Sequence, residues 1–215
     1  MIFKDRTAAG EKLAEALTQY KNAQDTIILA LPRGGVAVGF EVARALNLPL
    51  DIVVPRKIGA PGNPEFAIGA ITETGEGIFD EQTITAYGIS QNYINETVKE
   101  EKAEALRRLK TYRGSRPPLN LTGKTVVIVD DGLATGLTMR AAIKTIKNKN
   151  AKKIIVAIPV GPPDTIETIK KEADGVVCLD TPVFFGAVGA FYEEFGQTTD
   201  EEVIELLKKA EEFEK

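Results

Sequence analysis

A chain of 215 residues is long enough for one α/β domain with an appendage, and its formal net charge of −4 argues against a general nucleic-acid surface. No apolar run is long enough to cross a membrane and no signal-like segment opens the chain, so we expect a cytoplasmic protein without membrane or nucleic-acid partners. The absence of histidine excludes Ser-His and Cys-His nucleophilic sites and most zinc sites. The single cysteine, Cys178, excludes an intrachain disulfide, and we expect it to be a small core residue.

The first part of the chain predicts a helix, a strand and a second helix. Apolar residues at helical spacing run from Thr7 to Tyr20 and again from Val36 to Leu46, and Thr26 to Leu31 is a strong strand between them. The loop Pro32-Arg33-Gly34-Gly35 joins this strand to the second helix. Free N–H groups at a helix start and a nearby arginine suit an anion, with a plain turn and a surface arginine as the alternative.

A basic pair, Arg56-Lys57, follows the next predicted strand, Asp51 to Pro55. Glycine and proline then predict a loop over Ile58 to Glu65. Four further elements, two strands of a hairpin and two helices, are predicted before residue 113: Phe66 to Thr72, Gly77 to Phe79, Glu81 to Tyr87 and Ser90 to Tyr112. Arg113, just beyond the long helix, is a candidate phosphate ligand. Solvated surface charges are the alternative for Arg113 and for the basic pair.

The most informative stretch begins with four β-branched apolar residues, Val126 to Val129, which predict a strand buried on both faces. Asp130-Asp131 stands where this strand should end, and a loop of small residues leads to a helix predicted over Leu137 to Asn148. The helix start and the hydroxyls of Thr135 and Thr138 suit an anion, whereas the carboxylates suit the hydroxyls of a sugar. Together they predict a site for a ribose carrying a 5-phosphate. An ordinary α/β crossover with an acidic tip is the alternative.

The remaining elements continue the alternation of strands and helices. We predict a short strand before the motif and two strands and two helices after it: Leu119 to Leu121, Lys153 to Pro159, Asp164 to Lys171 with Asp164 as the cap, Gly175 to Leu179, and Thr199 to Glu214. This order implies the α/β class, with a Rossmann-like, mostly parallel five-stranded sheet flanked by helices.

The stretch from Val126 to Thr138 resembles the phosphoribosyl-pyrophosphate (PRPP) signature of type I phosphoribosyltransferases: four apolar residues, two acids, three residues, Thr-Gly, one residue and Thr. The resemblance covers residues 26–190 and implies the fold of that family in a single domain over residues 1–215. It also implies an inserted hairpin-helix region at 66–112 and a small base-binding hood at 180–198. The implied activity is transfer of the 5-phosphoribosyl group of PRPP to a nitrogenous acceptor, a nucleobase, with release of pyrophosphate. Mg²⁺ is the implied cofactor and a homodimer the implied assembly.

The same resemblance assigns roles to individual residues. Asp130 and Asp131 would hold the ribose hydroxyls, directly or through Mg²⁺. The expected ligands of the 5-phosphate are Ala134, Thr135, Gly136, Leu137 and Thr138. The expected ligands of the pyrophosphate are Arg33, Gly34, Gly35, Arg56 and Lys57, with Arg113 as a further phosphate ligand. The candidates for stacking on the base are Phe184, Phe185, Phe191 and Tyr192, and core packing under a loop is the alternative for them.

Two positions refine the implied function. Ala134 stands where hypoxanthine–guanine members usually carry an aspartate and adenine members carry alanine, so a 6-oxopurine acceptor is disfavoured. Ala60 falls near the place where adenine and orotate members usually have a lysine. A second hypothesis is therefore a non-catalytic regulatory protein that senses PRPP, and a third is another enzyme of phosphosugars or nucleotides.

Overall fold

The computed structural model describes residues 1–212, so Glu214, the predicted end of the last helix, lies outside them. The strands are β1 (Thr26–Ala30), β2 (Leu50–Ile52), β3 (Arg56–Ala60), β4 (Asn63–Ile71), β5 (Gly77–Phe79), β6 (Thr125–Val129), β7 (Lys153–Val160) and β8 (Gly175–Asp180). The α-helices are α1 (Arg6–Glu15), α2 (Gly34–Leu46), α3 (Glu81–Ala86), α4 (Gln91–Arg113), α5 (Leu137–Asn148), α6 (Pro163–Lys170) and α7 (Asp200–Ala210). Two short 3-10 turns cover Thr18–Tyr20 and Val188–Phe191.

Five parallel strands form the main sheet in the order β2-β1-β6-β7-β8. Every residue of β1 and β6 is buried, which explains why their sequences are apolar without alternation. The chain leaves β1 towards β2 on one side and leaves β6 towards β7 on the other, so the strand order reverses between β1 and β6. Ligands of open α/β sheets bind at the carboxyl ends of strands at such a point. The predicted α/β class with a five-stranded parallel sheet is confirmed.

Helices cover both faces of this sheet. The buried residues of α1, α2, α4 and α7 pack against one face, which includes Ile28 and Val127, and those of α5 and α6 pack against the other, which includes Leu29 and Ile128. Cys178, on β8, is half-buried against the second face, and its thiol donates to the carbonyl oxygen of Asp180 at 3.1 Å. Burial raises the pKa of Cys178 to about 11, as expected for an inert packing residue.

A second, antiparallel sheet of three strands, β3-β4-β5, is inserted between β2 and β6. It docks on α5, where the hydroxyl oxygens of Thr72 and Thr145 lie 2.6 Å apart and the Lys144 ammonium donates to the Gly77 carbonyl at 2.9 Å. The predicted hairpin and both helices of the insertion are present. Among the described residues, no helix has both the length and the apolar character needed to span a membrane.

The predicted loop over Ile58 to Glu65 is wrong. Ile58 to Ala60 completes β3, Asn63 begins β4, and only Pro61 and Gly62 form the turn, with Gly62 at φ +74°. Pro64 is tolerated because β5 pairs only with Gly69 to Ile71, so this end of β4 has β3 as its one neighbour in the small sheet.

Three smaller predictions also change. Leu119 to Leu121 forms no strand, and Leu121 instead packs against the core beside α5. Asp164 lies in the first turn of α6, whose cap position is Pro162. The first helix ends at Glu15, and the apolar pattern continues into the 3-10 turn because Leu17 is fully buried there.

Candidate active site

Two loops meet at the carboxyl ends of β1 and β6. They are joined at their base by a hydrogen bond from the Leu31 N–H to the Val129 carbonyl at 2.9 Å. Gly34 lies so close to the second loop that a Cβ there would overlap the Asp131 carboxylate, and a Cβ on Gly35 would lie 2.8 Å from Asp130 Oδ1. Glycine is therefore required at Gly34 by space, and the structure brings the predicted Gly34-Gly35 and Asp130-Asp131 pairs together.

Asp130 and Asp131 form a half-buried acidic pair. The Asp131 backbone N–H donates to Asp130 Oδ1 at 2.8 Å. Burial raises the pKa of Asp130 well above the ordinary carboxyl value, and the neighbouring charge of Asp131 raises it further. Burial also raises the pKa of Asp131, and the Arg6 guanidinium opposes that rise. Burial thus raises both pKa values, and of the two carboxylates only that of Asp131 is in direct contact with a cation, Arg6.

Arg6 and Tyr192 both hold Asp131, one through its side chain and the other through its backbone. Arg6 Nε donates to Asp131 Oδ2 at 2.8 Å, and the Tyr192 hydroxyl donates to the Asp131 carbonyl oxygen at 2.6 Å. Burial and the nearby acidic pair raise the pKa of Tyr192, so it remains a protonated donor. The sequence reasoning missed Arg6 entirely, because a lone arginine at the start of a helix carries no motif.

The loop after the acidic pair leads into the start of α5. Gly136 adopts φ +76° at the N-cap position, and no side chain of the described residues caps this helix. Ala134 and Thr135 are exposed, Leu137 and Thr138 are half-buried, and the Thr165 hydroxyl donates to the Ala134 carbonyl at 2.8 Å. The N–H groups of the first turn are therefore left for water or an anion.

Arg33 follows a cis peptide bond to Pro32 and reaches across to α7, where its Nη1 lies 3.4 Å from Asp200 Oδ1. The Tyr112 hydroxyl donates to the same carboxylate oxygen at 2.8 Å. The hydrogen bond from Tyr112, followed by that from Arg33, lowers the pKa of Asp200, while burial and Asp200 raise the pKa of Tyr112 to about 12. Arg33 thus lies in the loop after β1, with its guanidinium directed at the Asp200 carboxylate.

Arg56 and Lys57 lie at the start of β3 and each has a carboxylate partner. Arg56 Nε donates to Glu101 of α4 at 2.6 Å, and the Lys57 ammonium donates to Glu65 of β4 at 2.9 Å. The Arg56 pair is about three-quarters buried, with the side chains 27% and 26% exposed, whereas Glu65 is 87% exposed. Their carboxylate partners belong to the insertion rather than to the two loops.

Arg113 is not brought to this site. Its Nε and Nη2 each donate to the Asp51 carboxylate at 2.9 Å, and Nη2 also donates to the Pro117 carbonyl. The expectation that Arg113 is a phosphate ligand is therefore corrected, because its guanidinium is occupied by a buried ion pair.

The aromatic candidates separate into exposed and packed residues. Phe184 is 93% exposed, whereas Tyr192 is buried. Phe185 and Phe191 stack on each other with ring centroids 5.2 Å apart. Packing thus accounts for three of the four candidates, and Phe184 has no such role.

The acidic pair offers few ligands for a magnesium ion. Within residues 1–212 there is no cluster of three or more histidine, cysteine or carboxylate side chains that could hold a metal. Asp130 Oδ1 accepts a backbone N–H and Asp131 Oδ2 accepts Arg6, so one oxygen on each carboxylate has no N–H donor among residues 1–212. This set fits an ion that takes most of its ligands from substrate and water, as Mg²⁺ commonly does.

Comparisons with known proteins agree on the family. The model of the phosphoribosyl transferase domain matches residues 3–193. A Mycobacterium tuberculosis protein named "Putative phosphoribosyl transferase" is 41% identical over 209 residues, which are 97% of this chain and 47% of that protein. The chain therefore spans about half the length of the curated relatives it matches most fully.

Two further matches differ in how much they cover. The crystal structure of TT1426 from Thermus thermophilus has 42% identity and a TM-score of 0.81, covering 97% of this chain and 99% of that one. A uracil phosphoribosyltransferase of Renibacterium salmoninarum is 31% identical over 133 residues, which are 61% of each chain.

Proposed function

Because this chain belongs to the phosphoribosyl transferase domain family, we propose that it is a PRPP-dependent transferase that moves the 5-phosphoribosyl group to a nitrogenous acceptor, a nucleobase, and releases pyrophosphate. The position of the acidic pair is the observation that supports this proposal most directly. Asp130 and Asp131 lie under the Gly34-Gly35 turn and beside the uncapped start of α5. A site that offers both carboxylates and free N–H groups matches a sugar phosphate, which needs acceptors for its hydroxyls and donors for its phosphate.

In this proposal the acidic pair binds the ribose and the loop after it binds the 5-phosphate. Asp130 and Asp131 accept the 2- and 3-hydroxyls through the oxygens that no protein donor occupies. The 5-phosphate takes the N–H groups of the first turn of α5 and the hydroxyls of Thr135 and Thr138. The remaining members of this phosphate loop are Ala134, Gly136 and Leu137.

The pyrophosphate is assigned to the basic residues on the other side of the cleft. Arg33 lies in the loop that contacts the acidic pair, and the backbone of Gly34-Gly35 approaches without a side chain. Arg56 and Lys57 complete the clamp once they leave their carboxylate partners. An arginine is suited to this role because its planar guanidinium binds phosphate oxygens in pairs.

The chemistry needs no protein nucleophile. Displacement at the anomeric carbon develops positive charge on the ribose ring, and the carboxylates beneath it stabilise that charge. Bound Mg²⁺, held through Asp130 and Asp131 and the substrate, would supply neutralisation of the pyrophosphate charge. The half-buried setting of the acidic pair strengthens these interactions relative to water.

The acceptor side is the least constrained. Ala134 is exposed and offers no carboxylate to a base nitrogen, which disfavours a 6-oxopurine. Phe184 remains available to stack on a base, and Phe191 can contribute only as part of its stack with Phe185.

We further propose a homodimer, which a molar mass from light scattering would test.

A second candidate is a non-catalytic protein that senses PRPP. One observation favours it: Ala60, which stands where related enzymes usually carry a lysine, is 7% exposed within β3 and presents no cation.

The test is calorimetric titration of PRPP with Mg²⁺, compared with ribose 5-phosphate. We expect saturable, Mg²⁺-dependent binding of PRPP that is lost when Asp130→Asn and Asp131→Asn are combined, while thermal unfolding stays cooperative. Release of pyrophosphate in a screen of nucleobases would then identify the enzyme, and binding without release would identify the sensor. Unchanged PRPP affinity in the double variant would refute the ribose assignment.

A further inference from the structure

Arg6, the first residue of α1, is fixed by three contacts with two parts of the molecule. Its Nε donates to Asp131 Oδ2 at 2.8 Å, and its Nη1 donates to the Gly196 carbonyl at 2.7 Å. The guanidinium carbon also lies 3.9 Å from the centre of the Phe195 ring. The arginine is therefore clamped by the segment before α7 and points one N–H at the acidic pair.

The pair between Arg6 and Asp131 is largely removed from water. The two side chains are 14% and 15% exposed. Buried charges in direct contact interact much more strongly than exposed ones, and removing one partner leaves the other uncompensated. The missing side chain of Gly34 is part of this arrangement, because a Cβ there would lie 2.7 Å from Arg6 Nε and overlap the carboxylate.

We propose that Arg6 is a positioning residue: it occupies Oδ2 of Asp131 and thereby presents Oδ1 as the single oxygen that accepts a ribose hydroxyl. This inference rests on the proposed function. It assigns a role in the site to the first helix, which lies outside the PRPP signature. Arg6 acts through Asp131 and makes no contact with PRPP itself.

The opposing possibility is that Arg6 binds the pyrophosphate directly, since an arginine beside a phosphate site is suited to that. A double-mutant cycle separates the two. If Arg6 acts through Asp131, then Arg6→Gln weakens PRPP binding in the wild-type background and has no further effect when Asp131→Asn is already present. If Arg6 binds the pyrophosphate, the loss persists in both backgrounds.

The measurement is the Kd of PRPP with Mg²⁺ by calorimetry on the full chain. We expect Arg6→Gln to raise the Kd by roughly tenfold or more, as for loss of a charged hydrogen bond. Arg6→Lys should recover part of that loss, because an ammonium can still reach the carboxylate but cannot also reach the Gly196 carbonyl. A purely structural role would give no such dependence on Asp131.

Arg116 provides a matched control. It is 15% exposed, pairs with Glu211 at 2.8 Å and donates to the Leu50 carbonyl at 3.0 Å, at the opposite end of the sheet. Arg116→Gln should lower the unfolding temperature and leave the Kd unchanged.

Three results would overturn the inference: an unchanged or tighter Kd in Arg6→Gln, an equal loss with Asp131→Asn present, or an equal loss in Arg116→Gln. Failure of the wild-type chain to bind PRPP would instead overturn the proposed function.

Discussion

At the scale of the residue, the ionised carboxylate of Asp130 opposes folding. Its carboxylate is buried beside a second carboxylate, and both effects raise its pKa. In the folded state it therefore binds a proton at pH values where the unfolded chain has released one. Between the ordinary carboxyl pKa and the raised one, stability falls as pH rises. Such destabilised groups are common where a site is built for a ligand.

We therefore predict that Asp130→Asn stabilises the ligand-free protein. The change in unfolding temperature should be positive and larger at pH 7.5 than at pH 4.5, because the cost of ionising Asp130 in the folded state accumulates as pH rises above the ordinary carboxyl pKa. A gain of 1 kcal/mol would appear as roughly 2–4 °C in a domain of this size. Differential scanning calorimetry at both pH values measures it.

Asp25→Asn is the control, since the Asp25 side chain is 56% exposed and pairs only loosely with Lys152 at 3.6 Å. It should change the unfolding temperature little at either pH. A lower unfolding temperature for Asp130→Asn at pH 7.5 would mean that the carboxylate stabilises the fold, contrary to the effect of burial.

At the scale of the element, the inserted sheet carries Arg56 and Lys57, the two basic residues of the proposed clamp, and α4 carries the carboxylate partner of Arg56. β3 carries Arg56 and Lys57, and the two residues have partners of very different exposure. In the proposed function Arg56 must leave Glu101 before it binds a phosphate, so Glu101 would compete with the pyrophosphate. Lys57 has a weak competitor, because exposed pairs contribute about 0–1 kcal/mol.

We predict that Glu101→Gln tightens pyrophosphate binding by roughly two- to fivefold, since it removes that competitor. Glu65→Gln changes the net charge by the same amount and should leave the affinity nearly unchanged. Calorimetric titration of both variants with pyrophosphate and Mg²⁺ gives the comparison. Equal tightening in both would assign the effect to overall charge rather than to the contact with Arg56.

At the scale of the whole molecule, the segments around Phe3 and Tyr192 pack together next to the acidic pair. The Phe3 N–H donates to the Phe191 carbonyl at 2.8 Å, and the Phe3 ring lies 5.5 Å from that of Tyr192. Tyr192 in turn holds the backbone of Asp131. The packing of the amino-terminal segment is thus linked to the geometry of the acidic pair.

A matched pair of phenylalanine substitutions tests this packing. Phe3 is 1% exposed, so Phe3→Ala should lower the free energy of unfolding by about 3–5 kcal/mol. Phe184 is 93% exposed, so Phe184→Ala should change it by less than about 0.5 kcal/mol. Urea unfolding followed by circular dichroism measures both, and comparable losses would place Phe184 against the core.

The strands of the main sheet, the adjacent carboxylates Asp130 and Asp131 and the loop of small residues before α5 were predictable from the sequence alone. These features are local: a buried strand requires a run such as Val126 to Val129, and a loop followed by a helix start creates donors whatever the rest of the chain does. The helix predicted over Leu137 to Asn148 has the bounds found in the structure for the same reason. The loop predicted over Ile58 to Glu65 was wrong because pairing between β3 and β4, rather than composition, decides the structure there.

Which charged side chains meet depends on the tertiary fold. Arg6 pairs with Asp131 across 125 positions of sequence and Arg33 with Asp200 across 167, while Arg113 is taken by Asp51 and withdrawn from the site. The sequence around an arginine looks the same whether its guanidinium binds a ligand or a carboxylate of the protein. Its partner is set by how helices from distant parts of the chain pack on one sheet, and no local pattern carries that information.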